Sequence, residues 1–310
     1  MLVWIARWRA LRLRRRAAIV ALILVAATAA ASASIWVSAT ALPRSPYPLG
    51  IDTCLEGPKP ARTTTLLTLN AAHGRGTAFH PFGEPESEIR ANLAAIAALL
   101  RAQQPDVVAL QEADGPSSGS GGIDHVGAIS DAAGFCSWAR GDHVHGRVTG
   151  QTVRYGTALI ANRSLTEGTT AAFATSPLDT KGFTAATVQT VAGPTTVVSV
   201  HLDPVVASAR ERQIDKMLDT LRTRKLPLII LGDLNCGRST DQVCLTRLAS
   251  ELNLRPCGGP SYPSAAPFRS IDWILVSLEF EFQECRVVNT IVSDHRAVLA
   301  TVTSSGTPPR

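Results

Sequence analysis

The chain has 310 residues, 45% of them hydrophobic, which is enough for one large domain or two small ones. Its formal net charge of +5 arises from six arginines that all precede residue 17. The remainder carries 24 basic and 25 acidic residues, and this balance argues against a polybasic nucleic-acid binder.

The N-terminus has the pattern of a membrane-targeting segment. Residues 1–16 form a basic region, and residues 17–42 form a charge-free, mostly apolar run. These 26 residues exceed the ~20 that cross a bilayer core, so we predict one N-terminal transmembrane helix with the arginines in the cytoplasm. The flanking charges disfavour the alternative of a buried helix in a soluble protein. Small residues at 29–33 also suit signal-peptide cleavage. We therefore expect an extracytoplasmic body, anchored in the cell membrane or, if the segment is cleaved, secreted.

All cysteines follow this apolar segment. They are Cys54, Cys136, Cys236, Cys244, Cys257 and Cys285. An even number in an exported body predicts up to three disulfides, and the sequence does not choose among the connectivities. The chain has no CxxC pair, which argues against a structural zinc site. Residues 43–62 are rich in Pro and Gly and are predicted to form a linker that Cys54 would tie down.

The body alternates strand and helix patterns without an internal repeat. We place one domain at 63–303 and a disordered tail at 304–310. Strands are predicted at 64–69, 106–112, 155–160, 185–188, 196–200, 228–231, 270–276 and 297–302, and helices at 86–104, 214–221 and 241–253. The first strand, helix and second strand have the lengths of a βαβ unit, so the sequence predicts an α/β fold.

The apolar run at 228–231 reads as a buried strand with polar residues at its end. Gly232 frees the backbone there, and Asp233 and Asn235 follow two residues apart. Side chains at positions i and i+2 of a strand point to the same side, so one carboxylate and one amide would enter a single pocket. The alternative is a turn in which Asp233 caps the next helix.

Similar polar residues stand at or beside the ends of other predicted strands. They are Asn70, Glu112, His201, Asp272, Asp294 and His295, and a Gly/Ser-rich loop at 115–122 follows Glu112. Each alone is explained by capping or by exposure to solvent. Together they predict a shared crevice, because strand ends converge in α/β folds.

The residue types in this set suit one chemistry. Oxygen donors from Glu112, Asp294 and Asn70 match the preference of Mg²⁺, which would neutralise phosphate charge. A carboxylate such as Asp233 can orient or deprotonate an attacking water. His295, held by Asp272, can stabilise developing charge or move a proton. The sequence contains no GxSxG, HExxH or P-loop motif, which argues against serine hydrolases, zincins and NTPases.

Six short motifs occur in the order found in one family. They are TLN at Asn70, ALQE at Glu112, VHL at His201, GDLN at Asp233 and Asn235, SIDWI at Asp272, and SDH at Asp294 and His295. The chain thereby resembles the endonuclease/exonuclease/phosphatase superfamily over roughly 63–303. That group includes deoxyribonucleases, abasic-site endonucleases, neutral sphingomyelinases and inositol polyphosphate 5-phosphatases. The resemblance implies a four-layered α/β sandwich, in which helices flank two packed β-sheets and the site lies at one rim.

The resemblance also implies a role for each matching residue. The implied metal ligands are Asn70, Glu112 and Asp294, and the implied catalytic residues are His201, Asp233, Asn235, Asp272 and His295. Asp233 would align the water, Asn235 would bind a phosphate oxygen, and His201 would stabilise or protonate the phosphate. A disulfide from Cys236 to Cys244 or Cys257 would hold this segment, since deoxyribonucleases of the family carry a Cys after the same motif.

Two departures leave the substrate open. Deoxyribonucleases carry a Glu where this chain has Val153, and abasic-site enzymes carry an Asp where it has Ala72. Arg75, Arg154 and Lys181 are candidate phosphate contacts, with a solvated surface cation as the alternative for each.

These observations favour a Mg²⁺-dependent phosphoesterase, with Mn²⁺ or Ca²⁺ as alternative metals. Its substrate would be a nucleic acid or a phospholipid headgroup outside the cytoplasm. The N-terminal segment would contact the membrane. The sequence indicates no protein partner. The alternative is a catalytically silent, membrane-tethered binding protein of the same fold.

Overall fold

The computed structural model describes residues 19–20, 49–54, 62–78, 83–148, 150–175, 179–224, 227–237 and 242–306. The predicted basic region at 1–16 lies outside these residues, as does the apolar segment at 17–42 except for residues 19–20. Among the described residues, no helix combines the length and apolar character needed to cross a membrane.

The described residues form thirteen strands and four α-helices. The strands are β1 (Leu49–Asp52), β2 (Thr64–Asn70), β3 (Val107–Gln111), β4 (Ser137–Val148), β5 (Gln151–Ala161), β6 (Thr166–Ala172), β7 (Gly182–Thr190), β8 (Gly193–His201), β9 (Leu228–Asp233), β10 (Leu254–Gly258), β11 (Asp272–Ser277), β12 (Phe280–Val287) and β13 (Val298–Ser304). The helices are α1 (Glu86–Gln103), α2 (His125–Ala133), α3 (Ala207–Leu221) and α4 (Gln242–Glu251).

The strands build two mixed sheets. Sheet A has the order β1-β4-β5-β3-β2-β13-β12, and sheet B has the order β10-β11-β9-β8-β7-β6. The pairs β2–β3 and β8–β9 are parallel, and the other neighbouring pairs are antiparallel. Each parallel pair is joined through a helix, as a parallel connection requires.

Three apolar clusters hold the layers together. Between the sheets, Leu66 and Leu159 of sheet A share a buried cluster with Val197 and Ile229 of sheet B. Apolar residues of α1 and α2 are buried in a second cluster on the outer face of sheet A, and those of α3 and α4 in a third on the outer face of sheet B. The layer order is therefore helix, sheet, sheet, helix, which confirms the predicted sandwich.

The longer apolar patterns correspond to helices and strands of the structure, whereas helix α2, strand β1 and four further strands were not predicted. Strands β4, β6, β10 and β12 lie in segments where the sequence predicted none. β12 is an edge strand with mostly exposed or half-buried residues, so it lacks an apolar signature. β4 carries charged residues that are buried as ion pairs. The segment 49–52, within the predicted linker, pairs with β4 as β1.

All six cysteines are paired. The disulfides are Cys54–Cys136, Cys236–Cys244 and Cys257–Cys285. The first joins the predicted linker to sheet A beside β4, and the second is one of the two pairings expected for Cys236. Because Cys236 directly follows Asn235, this bond fixes the segment after β9 to the start of α4.

Candidate active site

Strand register brings the polar residues together in two rows. In sheet B, His201 of β8 is paired with Asp233 of β9, which is paired in turn with Asp272 of β11. In sheet A, Asn70 of β2 is paired with Gln111 of β3, so Glu112 comes directly after that pair. Both rows lie at the same rim of the sandwich, because the Asn70 amide donates a hydrogen bond to Asp233 Oδ2 across 3.1 Å.

Asp233 occupies the centre of the sheet B row. Its Oδ2 lies 3.4 Å from His201 Nε2 and 3.9 Å from His295 Nε2, and its Oδ1 accepts from the backbone N–H of Asn235 at 3.1 Å. Burial and the neighbouring carboxylate of Asp272 raise the pKa of Asp233 to about 7. A carboxylate with this pKa can accept a proton near neutral pH.

Asp272 and His295 form a buried pair beside Asp233. His295 Nδ1 is 2.9 Å from Asp272 Oδ2, which also accepts a hydrogen bond from the Ser261 hydroxyl at 2.5 Å. The Tyr262 ring packs against the imidazole, with 4.8 Å between the ring centroids. Burial acts to lower the pKa of His295, but the charge of Asp272 outweighs it and raises the pKa to about 10. His295 is therefore held as an imidazolium whose Nε2 faces Asp233.

His201 has a cation as its near neighbour at Nδ1. The Lys181 ammonium lies 3.3 Å from this nitrogen, while the nearest oxygen of Glu112 is 4.0 Å away. Burial and the charge of Lys181 hold the pKa of His201 well below its ordinary value, so the ring is neutral. Since Lys181 can only donate, His201 Nδ1 accepts and the ring proton sits on Nε2, which faces Asp233.

Glu112 lies between two cationic side chains. Its Oε1 is 3.5 Å from Lys181 Nζ, and its Oε2 is 3.4 Å from His73 Nε2. Burial acts to raise the pKa of Glu112, but the charges of His73 and Lys181 outweigh it and hold the pKa well below the ordinary value. Glu112 therefore stays ionised. It lines a small cleft together with His73, His143, Tyr155, Gly156, Thr180, Lys181 and His201.

The three predicted metal ligands differ in their present partners. Asn70 Oδ1 accepts from the backbone N–H of Ala72 at 2.9 Å, and Asp294 Oδ2 accepts from Arg75 at 2.8 Å. Asp294 stays next to the site because the hydroxyl of Ser293 donates to the Asn70 carbonyl oxygen at 2.7 Å. Each oxygen retains lone pairs, so Asn70 and Asp294, like Glu112, offer oxygen donors of the kind that a hard divalent cation prefers.

Among the described residues, ligand-type atoms of three side chains lie close together at Asp233. One ligand-type atom from each of Asp233, Asp272 and His295 lies within 4.8 Å of the others. Asp272 Oδ2, however, already accepts from both Ser261 and His295 Nδ1. With these bonds the group could handle protons, and the carboxylate oxygens of Glu112 could hold a metal.

The three candidate phosphate contacts are placed differently. Lys181 lines the cleft, and Arg75 forms an ion pair with Asp294. Arg154 does not join them, because buried Asp142 accepts from both its Nη2 at 2.7 Å and its Nε at 3.0 Å. Asp142 also accepts from Arg140, so the Arg154 guanidinium belongs to an ion-pair network of sheet A.

Asn235 is held close to Asp233 by its own backbone. It has a left-handed φ of +50°, and its amide Nδ2 donates to the Leu202 carbonyl oxygen at 3.1 Å. The side chain thus lies beside the segment that follows His201. A non-glycine residue in this conformation is uncommon and marks a position that its surroundings hold in place.

Two residues of the site were absent from the sequence-based candidates. Asp114 Oδ1 lies 2.8 Å from His73 Nδ1, and the His73 ring reaches Glu112 with its other nitrogen. Asp114 could have been predicted from the sequence, because it stands two residues after Glu112 at a strand end. Asp233 and Asn235 have the same spacing. His73 stands three residues after Asn70.

Solved structures share this fold at low sequence identity. An endonuclease/exonuclease/phosphatase from Beutenbergia cavernae superposes with a TM-score of 0.63 at 20% identity, covering 79% of this chain and 72% of that one. The human nocturnin catalytic domain with bound sulfate superposes with a TM-score of 0.58 at 17% identity, covering 83% of this chain and 98% of that one. A Bacteroides thetaiotaomicron mannosyl-6-phosphatase superposes with a TM-score of 0.55 at 14% identity, covering 77% of this chain and 99% of that one.

The sequence itself places the chain in a family. No protein with a curated description matches it significantly. Residues 67–295 match the model of the Endonuclease/Exonuclease/phosphatase family, a span that runs from β2 to His295 and contains every residue of the two rows. The chain therefore belongs to the endonuclease/exonuclease/phosphatase family.

Proposed function

We propose that this protein is a divalent-metal-dependent phosphodiesterase that hydrolyses a nucleic acid or a phospholipid headgroup outside the cytoplasm. The observation that carries the proposal is the environment of Asp233, whose carboxylate lies within 3.9 Å of the Nε2 atoms of both His201 and His295. A base with a pKa of about 7 beside an imidazolium suits the attack of water on a phosphate ester.

Each of these residues would have its own role in the hydrolysis. Asp233 would orient the attacking water and take its proton. His295, charged and held by Asp272, would donate a hydrogen bond to a phosphate oxygen as negative charge develops there. His201 would donate from Nε2, and Asn235 would bind a further phosphate oxygen.

Glu112 would hold the metal, with Asn70 and Asp294 beside it. We propose Mg²⁺, with Mn²⁺ or Ca²⁺ as alternatives, because the donors of this set are oxygens. When bound, the cation would neutralise phosphate charge and polarise the ester. Lys181 at the cleft and Arg75 beside Asp294 would add positive charge for an anionic substrate.

Two features support a place outside the cytoplasm. All six cysteines are paired, and structural disulfides persist in oxidising compartments. The apolar segment at 17–42 with arginines before it has the pattern of a signal anchor or signal peptide. The near-neutral charge of the body weakens the case for nucleic acid, and a nearby membrane would favour a lipid headgroup.

A hydrolysis panel tests the proposal. Plasmid DNA, RNA, sphingomyelin and phosphoinositides would be incubated with the purified body in Mg²⁺ and in excess EDTA. We expect turnover of at least one substrate class, lost in EDTA. Glu112→Gln keeps the side-chain shape but removes the charge, so it should lower metal affinity and turnover while the protein stays folded.

Glu86→Gln is the matched control, because Glu86 is an exposed carboxylate whose partner is the neighbouring helix residue Arg90. This variant should keep wild-type turnover. Full turnover of Glu112→Gln at low Mg²⁺, or of the wild type in EDTA, would contradict the proposal. Absence of turnover on every substrate would favour the alternative of a silent binding protein.

A further inference from the structure

His73 is held by a buried carboxylate in a fixed orientation. Its Nδ1 lies 2.8 Å from Asp114 Oδ1, and the other oxygen of Asp114 accepts from the Ser120 hydroxyl at 2.6 Å. Asp114 is itself 1% exposed. With Nδ1 bound to an acceptor, the second ring nitrogen is the one presented to the cleft.

The backbone fixes the position of His73 relative to Glu112. The N–H of His73 donates to the Glu112 carbonyl oxygen at 3.0 Å, which ties the loop after β2 to the end of β3. Both residues have left-handed backbones, with φ of +53° at His73 and +50° at Glu112. Such conformations in non-glycine residues persist where the surroundings over-determine them. The Tyr155 ring adds an edge contact to the imidazole, with centroids 5.5 Å apart.

The two side chains meet at a distance that suits two ligands of one cation. His73 Nε2 and Glu112 Oε2 are 3.4 Å apart, which exceeds the ~2.7–2.9 Å of a charge-assisted hydrogen bond. Two donors bonded to a common cation at ~2.0–2.2 Å are separated by about this amount when their bonds subtend somewhat more than a right angle. A ligating histidine usually binds the cation through one ring nitrogen and a carboxylate through the other. Asp114 is such a carboxylate for His73.

We infer that His73 is a metal ligand, so that the cation of this protein is bound by the imidazole Nε2 of His73 together with the carboxylate of Glu112, with Asp114 orienting the imidazole. This inference rests on the proposed function, because it adds a ligand to the metal site proposed there. An imidazole donor shifts metal preference away from Mg²⁺, which prefers oxygen donors, towards first-row transition metals. Binding would release the proton from Nε2.

Pulsed electron paramagnetic resonance with Mn²⁺ as the probe tests the inference without any substrate. We expect wild-type protein to bind Mn²⁺ and to show the nuclear coupling of a directly bonded imidazole nitrogen. His73→Asn should abolish that coupling and lower Mn²⁺ affinity by about tenfold or more, while Mg²⁺ affinity falls less. Asn is chosen because it tolerates the left-handed backbone of position 73.

His201→Asn is the matched control, because His201 lines the same cleft with its Nδ1 4.0 Å from Glu112 Oε1. This variant should retain the nitrogen coupling. Mn²⁺ that binds through Glu112 without nitrogen coupling, or with coupling that survives His73→Asn, would overturn the inference and leave the proposed metal dependence standing. A wild-type protein that binds no Mn²⁺ would overturn both.

Discussion

Two parts of the site, one around Asp233 and one around Glu112, have similar arrangements of residues, but the pKa values of the two carboxylates are shifted in opposite directions. On one side Ser261, Asp272 and His295 are linked in sequence, and the His295 Nε2 faces Asp233. On the other side Ser120 and His73 bind the two different oxygens of Asp114, and the His73 Nε2 faces Glu112. In each case a serine hydroxyl and a histidine share a buried aspartate.

The facing carboxylates differ because their further neighbours differ. Asp233 has a second buried carboxylate nearby, Asp272, and its pKa is raised to about 7. Glu112 has a second cation nearby, Lys181, and its pKa is held well below the ordinary value. One carboxylate can therefore exchange a proton near neutral pH, and the other remains a fixed negative charge. This difference is what a general base and a metal ligand respectively require.

The largest expected effect is on the Asp233 side. Asp233→Asn and His295→Ala should each lower kcat by ~10² or more, because they remove the base and the charge that stabilises the phosphate. Residues that act in one step are strongly non-additive, so the double variant should be scarcely slower than the worse single variant. Steady-state kinetics on the substrate found in the panel measures this. A double variant whose loss equals the product of the single losses would show that the two residues act independently.

The disulfide Cys236–Cys244 should separate the two sides. It closes a short loop beside Asp233 and Asn235, and a loop of ~8 residues is expected to stabilise the fold by ~2 kcal/mol. Cys236→Ala with Cys244→Ala should therefore lower Tm and kcat, while Mn²⁺ affinity at Glu112 stays within about twofold. The pair Cys54→Ala with Cys136→Ala is the control for kcat, because that bond ties down β1. An unchanged kcat in the variant that lacks Cys236 and Cys244 would show that this disulfide does not affect catalysis at the site.

Most of the Asp233 side could be predicted from the sequence. Its residues stand at or beside the ends of apolar strands, as Asp233 does after the run at 228–231, so the pattern that predicts the strand also marks the polar residue at its end. The Cys236–Cys244 pairing is one of the two that the family resemblance implied for Cys236.

The Glu112 side was harder to predict because its contacts depend on loops and strand register. His73 and Asp114 lie in loops without periodicity, and they meet only after β2 and β3 have paired. Lys181 reaches His201 because β7 and β8 are antiparallel with Gly182 opposite His201. The sequence spacing of Lys181 and His201 does not predict that register. From the sequence, Arg154 is an equally plausible phosphate contact, but Asp142 of β4 binds its guanidinium.

One paired measurement tests most directly whether the two sides have different tasks. Asp114→Asn and Asp272→Asn make the same chemical change at equivalent positions, and isothermal titration with Mn²⁺ together with kcat at saturating metal would be measured for both. We expect Asp114→Asn to weaken Mn²⁺ binding by ~10-fold or more with kcat largely retained, because the aspartate orients a ligand. We expect Asp272→Asn to lower kcat with Mn²⁺ affinity retained. Equal effects of the two substitutions on both quantities would contradict the account.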